Sequence, residues 1–298
     1  MAKLLLGKDV SEALANQLKQ RAEDLKEKGV QPALGIVRLG ENPGDMSYEK
    51  GAMKRAESLG VSVRSIVLPE TASADDVMRT LDTVNEDPSI HGVLLFRPLP
   101  NHLKHQEQEI CNRLKPEKDV DGMTDLSAAG VYTGQNLGFP PCTAAACLEI
   151  LDHYGIDAAG KKVAVLGRSL VIGRPVAMML LSRNATVSIL HTKTVNMQAH
   201  IADADIVICA AGVRDLISGE MVCPHQIILD VSMNWDPEKI TAKGKGGMVG
   251  DCNFAQTEPV VAAITPVPGG VGAVTNTVLM KHVIQAAEAV GKIKGDTV

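Results

Sequence analysis

The chain has 298 residues, 45% of them hydrophobic, enough for two modest domains or one large one with substantial cores. A formal charge of −5, a pI near 5.9 and only one Trp, three Tyr and three Phe argue against a nucleic-acid partner, which needs a basic face and rings to stack on bases. Residues 1–10 hold a short apolar run without a long secretory core or cleavage site, and no stretch approaches membrane-spanning length, so a cytoplasmic protein without membrane contact is expected. The six cysteines (Cys111, Cys142, Cys147, Cys209, Cys223, Cys252) form no C-x-x-C pair, and the eight histidines are dispersed. Reduced, mostly buried thiols and no metal site follow.

In chain order, residues 11–28 place Leu14, Leu18, Ala22 and Leu25 on one helical stripe, and Gly29 stops it. Residues 34–39 read as a buried strand. A helix over 47–58, a strand over 61–67, a helix over 74–85 capped by Ser73 and a strand over 92–96 follow, a β-α-β series that favours a parallel sheet. The 92–96 run is continuously apolar, as for a strand covered on both faces, whereas 61–67 alternates and reads as nearer an edge. A second series restarts after Thr143: a helix to Tyr154, strands over 162–166, 186–190, 206–209 and 226–231, a helix over 172–182, further strand candidates at 248–251 and 263–264, and a closing helix over 272–291. The fold expected is two α/β domains, the second a Rossmann-like doubly wound parallel sheet.

The strand at 162–166 runs into Gly167-Arg168-Ser169-Leu170-Val171-Ile172-Gly173-Arg174-Pro175. A strand, a glycine turn and a helix start aim backbone N–H groups and a helix dipole at a phosphate. The six-residue glycine spacing is not G-x-G-x-x-G, so on spacing alone the segment is equally a strand-to-helix turn of any α/β protein. Three loops at strand ends also stand out: Arg97-Pro98-Leu99-Pro100, Lys118-Asp119-Val120-Asp121-Gly122, and Thr265 through Gly272. Each alone reads as a turn.

In this order and spacing, together with Gly40, Tyr48 and Pro141-Cys142-Thr143, the segments resemble the methylenetetrahydrofolate dehydrogenase/cyclohydrolase family over nearly the whole chain. The resemblance implies a subunit of a homodimer. Its folate-binding catalytic domain would span 1–147 plus the C-terminal helix 272–298, with an NADP-binding Rossmann-like domain over 148–271 and a folate cleft between the two. It implies tetrahydrofolate derivatives as ligands, with Tyr48 and Asp121 catalytic and Tyr48, Asp121, Pro268, Gly269 and Gly270 against the folate. It implies Gly167, Arg168, Ser169, Gly173, Thr192 and Thr275 at the cofactor.

Two departures from the family pattern point the same way. The family's helix motif reads S-x-x-Y-V-x-x-K, with Tyr and Lys one turn apart; here the corresponding residues are Asp45, Tyr48, Glu49 and Ala52, so the lysine is missing. At about 100° per residue, Lys50 and Lys54 lie about 200° and about 240° around from Tyr48, whereas a residue at +4 lies about 40° away. The glutamine that orients the family's lysine is replaced by Phe96, which makes no such hydrogen bond. Arg97 beside it replaces an apolar residue.

Removing a hydride from the methylene bridge moves no proton and needs proximity and orientation. Opening the methenyl product needs water deprotonated and a nitrogen protonated, where a placed acid/base contributes about 10²–10⁴-fold. The expectation is a dehydrogenase whose cyclohydrolase step is weak or absent. The alternatives are a bifunctional enzyme with Lys54, Lys50 or the poorly basic Arg97 as substitute base, and a noncatalytic folate- or nucleotide-binding regulator. NADP is expected because the loop after the strand 186–190, His191-Thr192-Lys193-Thr194, carries no acid for a ribose hydroxyl, and Arg168 matches the family's 2′-phosphate ligand. Trp235, Met178 and Met179 read as packing, Asp119 as a loop-fixing acid, and Cys142 as lacking a histidine partner.

Overall fold

The computed structural model describes residues 1–241 and 244–295, with the side chains of 291–295 outside the description. The chain divides into two compact units. One comprises Met1–Glu12 and Thr143–Thr275, the other Ala13–Cys142 and the chain from Asn276 on. Residues 1–12, allotted by the sequence to the folate domain, cluster with the other unit because β1 (Lys3–Leu4) pairs in parallel with Ala263 and Ile264. Of the expected C-terminal segment 272–298, residues 296–298 lie outside the described residues.

The helix α1 (Gly7–Glu27) buries the foreseen stripe, Leu14, Leu18, Ala22 and Leu25. The three-stranded unit then builds β2 (Ala33–Leu39), α2 (Pro43–Ser58), β3 (Ser62–Leu68), α3 (Ala74–Glu86) and β4 (Gly92–Leu95). Its sheet is parallel in the order β3-β2-β4. The alternating strand β3 lies at one edge and β4 at the other, and the two apolar strands β2 and β4 are buried throughout or nearly so. The start of α2 lies four residues before the expected one because Asn42 Oδ1 accepts from the Gly44 and Asp45 amides and Pro43 is preset for a first helical turn. Ser73 and Asp76 close a capping box on α3. Behind the sheet, Val77, Leu81 and Val84 of α3 join Val37, Val93 and Leu95 in one core. Two short helices not foreseen, α4 (Glu107–Cys111) and α5 (Asp125–Thr133), follow β4.

The six-stranded unit is read from α6 (Cys142–His153), β5 (Lys162–Leu166), α7 (Gly173–Leu181), β6 (Thr186–Leu190), α8 (Met197–Ala202), β7 (Ile206–Cys209) and β8 (Ile227–Asp230). It continues through β9 (Asn234–Thr241), β10 (Gly244–Val249), α9 (Phe254–Thr257) and β11 (Ala263–Ile264). All pairs in its main sheet are parallel, in the order β1-β11-β8-β7-β5-β6. The chain goes outward from β5 to β6 and then returns to β7 on the other side of β5, so the strand order reverses between β5 and β7. Such a reversal opens a crevice at the strands' carboxyl ends. The candidate strand 248–251 is corrected: residues 248–249 belong to β10, which pairs antiparallel with β9 outside the parallel sheet. Trp235, expected in packing, is 64% exposed on that hairpin and covers Gly246 with one ring edge.

The last helix, α10 (Thr275–Gly295), returns to the three-stranded unit. Val283 packs on Gly92 of β4, and Glu288 forms a two-pronged ion pair with Arg21 of α1 at 2.8 and 2.6 Å. No helix among the described residues is long and apolar enough to cross a membrane.

Candidate active site

In the three-stranded unit, α2 turns a stripe of Glu49, Ala52 and Ala56 into the protein, with Tyr48 half-buried at its margin. Ala52 is fully buried, and Lys50 and Lys54 are exposed on the far side, where their helical angles put them. Phe96, the residue after β4, meets Tyr48 edge to face: the ring centroids are 5.9 Å apart and the planes 87° apart. An aromatic pair therefore stands one helical turn from Ala52, and the Phe96 ring offers no side-chain hydrogen bond.

The segment Lys118-Asp119-Val120-Asp121-Gly122 separates framework from chemistry. Lys118 Nζ donates to the Val84 and Asp87 carbonyls, each at 2.7 Å, and so holds the end of α3. Asp119 is fully buried and accepts from the Met123 amide (3.0 Å), the Thr124 amide (2.8 Å) and Ser127 Oγ (2.6 Å), the loop-fixing role read for it. Asp121 is half-buried and accepts from the Cys142 amide at 3.3 Å. Burial pushes its carboxyl above the usual range, against the opposing pull of Cys142 and of the Arg97 charge.

One expectation is overturned here: Cys142 does have a histidine neighbour, 140 residues away in sequence. Its Sγ lies 3.7 Å from His282 Nδ1 of α10 and donates to the Val120 carbonyl at 3.2 Å. His282 Nδ1 also stands 2.9 Å from that carbonyl, so Nδ1 carries the proton and donates. Burial lowers His282 to about 4 and drives the thiol far up. Both groups stay neutral, and this is a packed polar contact rather than an activated nucleophile.

In the six-stranded unit the turn after β5 is bare backbone by necessity. Gly167 has φ +109°, and a Cβ there would lie 2.1 Å from the Ala210 carbonyl oxygen; one on Gly173 would lie 2.2 Å from the Gly167 oxygen. Ser169 Oγ accepts from the Ile172 amide at 3.1 Å and the Gly173 amide at 3.5 Å, which shapes the entry into α7. The loops after β5 and β7 thus touch at the reversal point of the sheet. The second loop is fixed from below by Asp251, fully buried, which accepts from the Ala211, Gly212 and Val213 amides at 2.7–3.2 Å and from Ser232 Oγ at 2.8 Å. Beneath it Asp230 accepts from the Asp251 and Cys252 amides, and burial raises its carboxyl to about 6.

Arg168 and Thr192 are exposed at the ends of β5 and β6, and the Lys193 amide donates to His191 Nδ1 at 3.1 Å. Thr275 is buried and donates from Oγ1 to the Gly272 carbonyl at 3.2 Å. Pro268 and Gly269 are exposed and Gly270 buried; the Gly269 carbonyl accepts from the Gly7 amide at 2.8 Å. The turn therefore fits a dinucleotide's phosphates: a glycine cradle that any side chain would fill, at a helix start and at the reversal point. No cluster of three or more His, Cys, Asp or Glu side chains placed for a metal occurs among the described residues.

The sequence reading missed Arg38, which reaches Glu49 Oε2 at 2.9 Å while Ser65 Oγ donates to Glu49 Oε1 at 2.5 Å. The signal was present: an arginine inside a buried strand and a glutamate on a buried helical stripe need partners.

The family model for the tetrahydrofolate dehydrogenase/cyclohydrolase catalytic domain matches residues 5–121, and that for the NAD(P)-binding domain of the same enzymes matches residues 141–290. The bifunctional protein FolD of Carboxydothermus hydrogenoformans is 43% identical over 288 residues, 97% of this chain and 98% of its own length. Among solved structures, the bifunctional FolD dehydrogenase/cyclohydrolase from Campylobacter jejuni superposes with a TM-score of 0.90 at 34% identity, covering 97% of this chain and all of that one. The Trypanosoma brucei dehydrogenase-cyclohydrolase, solved with NADP and an inhibitor, gives 0.89 at 30% identity, covering 97% of this chain and 98% of its own.

Proposed function

We propose, for a chain that belongs to the tetrahydrofolate dehydrogenase/cyclohydrolase family, an enzyme that oxidises 5,10-methylenetetrahydrofolate to the methenyl form with NADP and opens that product weakly or not at all. The observation that carries this reading is a fully buried alanine at position 52, one helical turn after Tyr48, whose ring meets the Phe96 ring. The stripe that would present a base to the folate is closed with methyl groups and rings.

Tyr48 and Asp121 orient the folate, and Pro268, Gly269 and Gly270 supply a wall without bulky side chains. Gly167, Ser169 and Gly173 shape the turn for the dinucleotide phosphates, Arg168 and Thr192 take the 2′-phosphate, and Thr275 stands at the start of α10. When bound, NADP supplies the hydride acceptor. Asp121, whose carboxyl burial raises above the usual range, holds the pterin end by hydrogen bonds. A homodimer in the cytoplasm completes the reading.

The bifunctional names of the relatives favour the rival reading, in which a substitute base opens the ring. Lys50 and Lys54 are the candidates, and both face away from the Tyr48 stripe.

Purified enzyme given methylenetetrahydrofolate and NADP should produce NADPH and methenyl product in equal amounts. Enzyme-dependent formyl product would contradict the missing base, and no NADPH would contradict the dehydrogenase. In the same assay Arg168→Ala should raise the KM for NADP by about tenfold or more, as expected from losing a charge-assisted phosphate contact, with little change for NAD. Equal effects on both cofactors would remove the 2′-phosphate assignment.

A further inference from the structure

The stripe of α2 that carries no lysine carries two acids instead. Glu49, 7% exposed, is matched by the Arg38 guanidinium and Ser65. Arg38 also donates to the Gly40 carbonyl. One turn earlier, Asp45 lies four residues before Glu49, three before Tyr48 and seven before Ala52, so it shares their side of the helix. Asp45 is half-buried, within the field of the same Arg38. Burial raises its carboxyl above the usual range, against the smaller opposing pull of Arg38. Two carboxyl groups therefore share one guanidinium whose hydrogen bonds go to Glu49 and Gly40, so the Asp45 carboxyl, on the Tyr48 side of α2, takes none of them.

We propose that Asp45 is a further residue of the dehydrogenase site, its carboxylate stabilising the cation that develops on the folate as the hydride leaves. This rests on the dehydrogenase reading above. The C–H bond of the methylene bridge breaks with both electrons, which pass with the hydrogen to the oxidised nicotinamide. A nitrogen lone pair closes a C=N bond, no proton is released, and the positive charge that was on the nicotinamide ends on the folate's N–C–N bridge. A carboxylate on the Tyr48 side lowers the energy of that charge in the transition state and in the product. It gives no help to hydroxide, whose approach it repels. The acids and the absent lysine thus act in one direction: they favour forming the methenyl cation and disfavour opening it.

The test compares the binding of two ligands that differ in the charge of the bridge, the methenyl cation and neutral tetrahydrofolate, to the wild-type enzyme, Asp45→Asn and Asp45→Glu. Asp45→Asn should weaken methenyl binding about tenfold and tetrahydrofolate binding less than about twofold, the difference a charge pair at partly screened distance gives. It should lower kcat for methylene oxidation with the KM for NADP unchanged, and Asp45→Glu should recover most of the selectivity. Equal weakening of both ligands would make Asp45 a shape-maintaining residue and overturn the proposal, as would no change in either. Because the affinity ratio needs no turnover, it stands apart from the product assay: absent NADPH or enzyme-made formyl product would count against the proposed function and leave the ratio to decide Asp45.

Discussion

Ala52→Lys combined with Phe96→Gln is expected to confer methenyl opening about 10²–10⁴-fold above the parent enzyme, the usual contribution of a placed acid/base. Neither single change should approach it. Position 52 is fully buried, so a lone lysine there places an ammonium on a closed stripe whose acids hold it protonated, while Phe96 offers it no hydrogen bond to aim it. A lone glutamine at 96 gives up the ring contact with Tyr48 and orients nothing. Only the pair supplies a base and the amide that aims it, so the gain should exceed the product of the two single effects. Asp45 and Glu49 on the same stripe would hold the new ammonium protonated, and adding Asp45→Ser should raise the rate further. Full activity from Ala52→Lys alone would show that the aromatic pair is no obstacle. An unchanged rate in a folded double variant would show that the missing base is not what limits the step.

Gly173→Ala is expected to cut NADP affinity by about a hundredfold or more, because the added methyl must displace backbone, not a flexible side chain, at a cost on the order of 3 kcal/mol. Its Cβ would sit 2.2 Å from the Gly167 oxygen and 2.9 Å from the Arg168 nitrogen, within the turn itself. Gly167 cannot yield, with its positive φ and the Ala210 carbonyl against it. Titration of NADP into the variant, with circular dichroism to confirm folding, reads the effect. Ser169→Ala, which removes only the hydroxyl that accepts from the Ile172 and Gly173 amides, should weaken binding less, by about tenfold or under. Wild-type affinity in Gly173→Ala would show that the turn is not the phosphate cradle.

Much of the fold was legible because the parallel strands announce themselves. The strands 162–166, 186–190, 206–209 and 263–264 fall where apolar runs and turn residues put them, and the alternating segment after Gly60 is an edge strand as its pattern requires. The β9–β10 hairpin was not legible: its strands contain Pro237, Gly244, Gly246 and Gly247 and carry no clean alternation. The helix α5 was missed for a related reason, since nine residues with Gly130 among them leave almost no apolar stripe. Membership of β1 in the far sheet depends on a two-residue pairing with β11 that no local pattern encodes.

The candidate site divides in the same way. The glycine turn after β5 was visible as glycines following an apolar strand, while Tyr48, Asp121, Ala52 and Phe96 were singled out only through the family resemblance. The Cys142–His282 contact was not readable, because its two residues meet only when α10 returns to the three-stranded unit. The Arg38–Glu49–Ser65 network joins two strands and a helix, and only the charge inside an apolar strand hinted at it.

The most direct measurement supplies the methenyl compound itself, without NADP, and follows its opening with enzyme present and absent in the same weakly catalysing buffer. A missing base predicts two indistinguishable time courses from a preparation that reduces NADP with methylenetetrahydrofolate. Opening that scales with enzyme concentration would contradict the account and establish a base that Ala52 and Phe96 do not exclude.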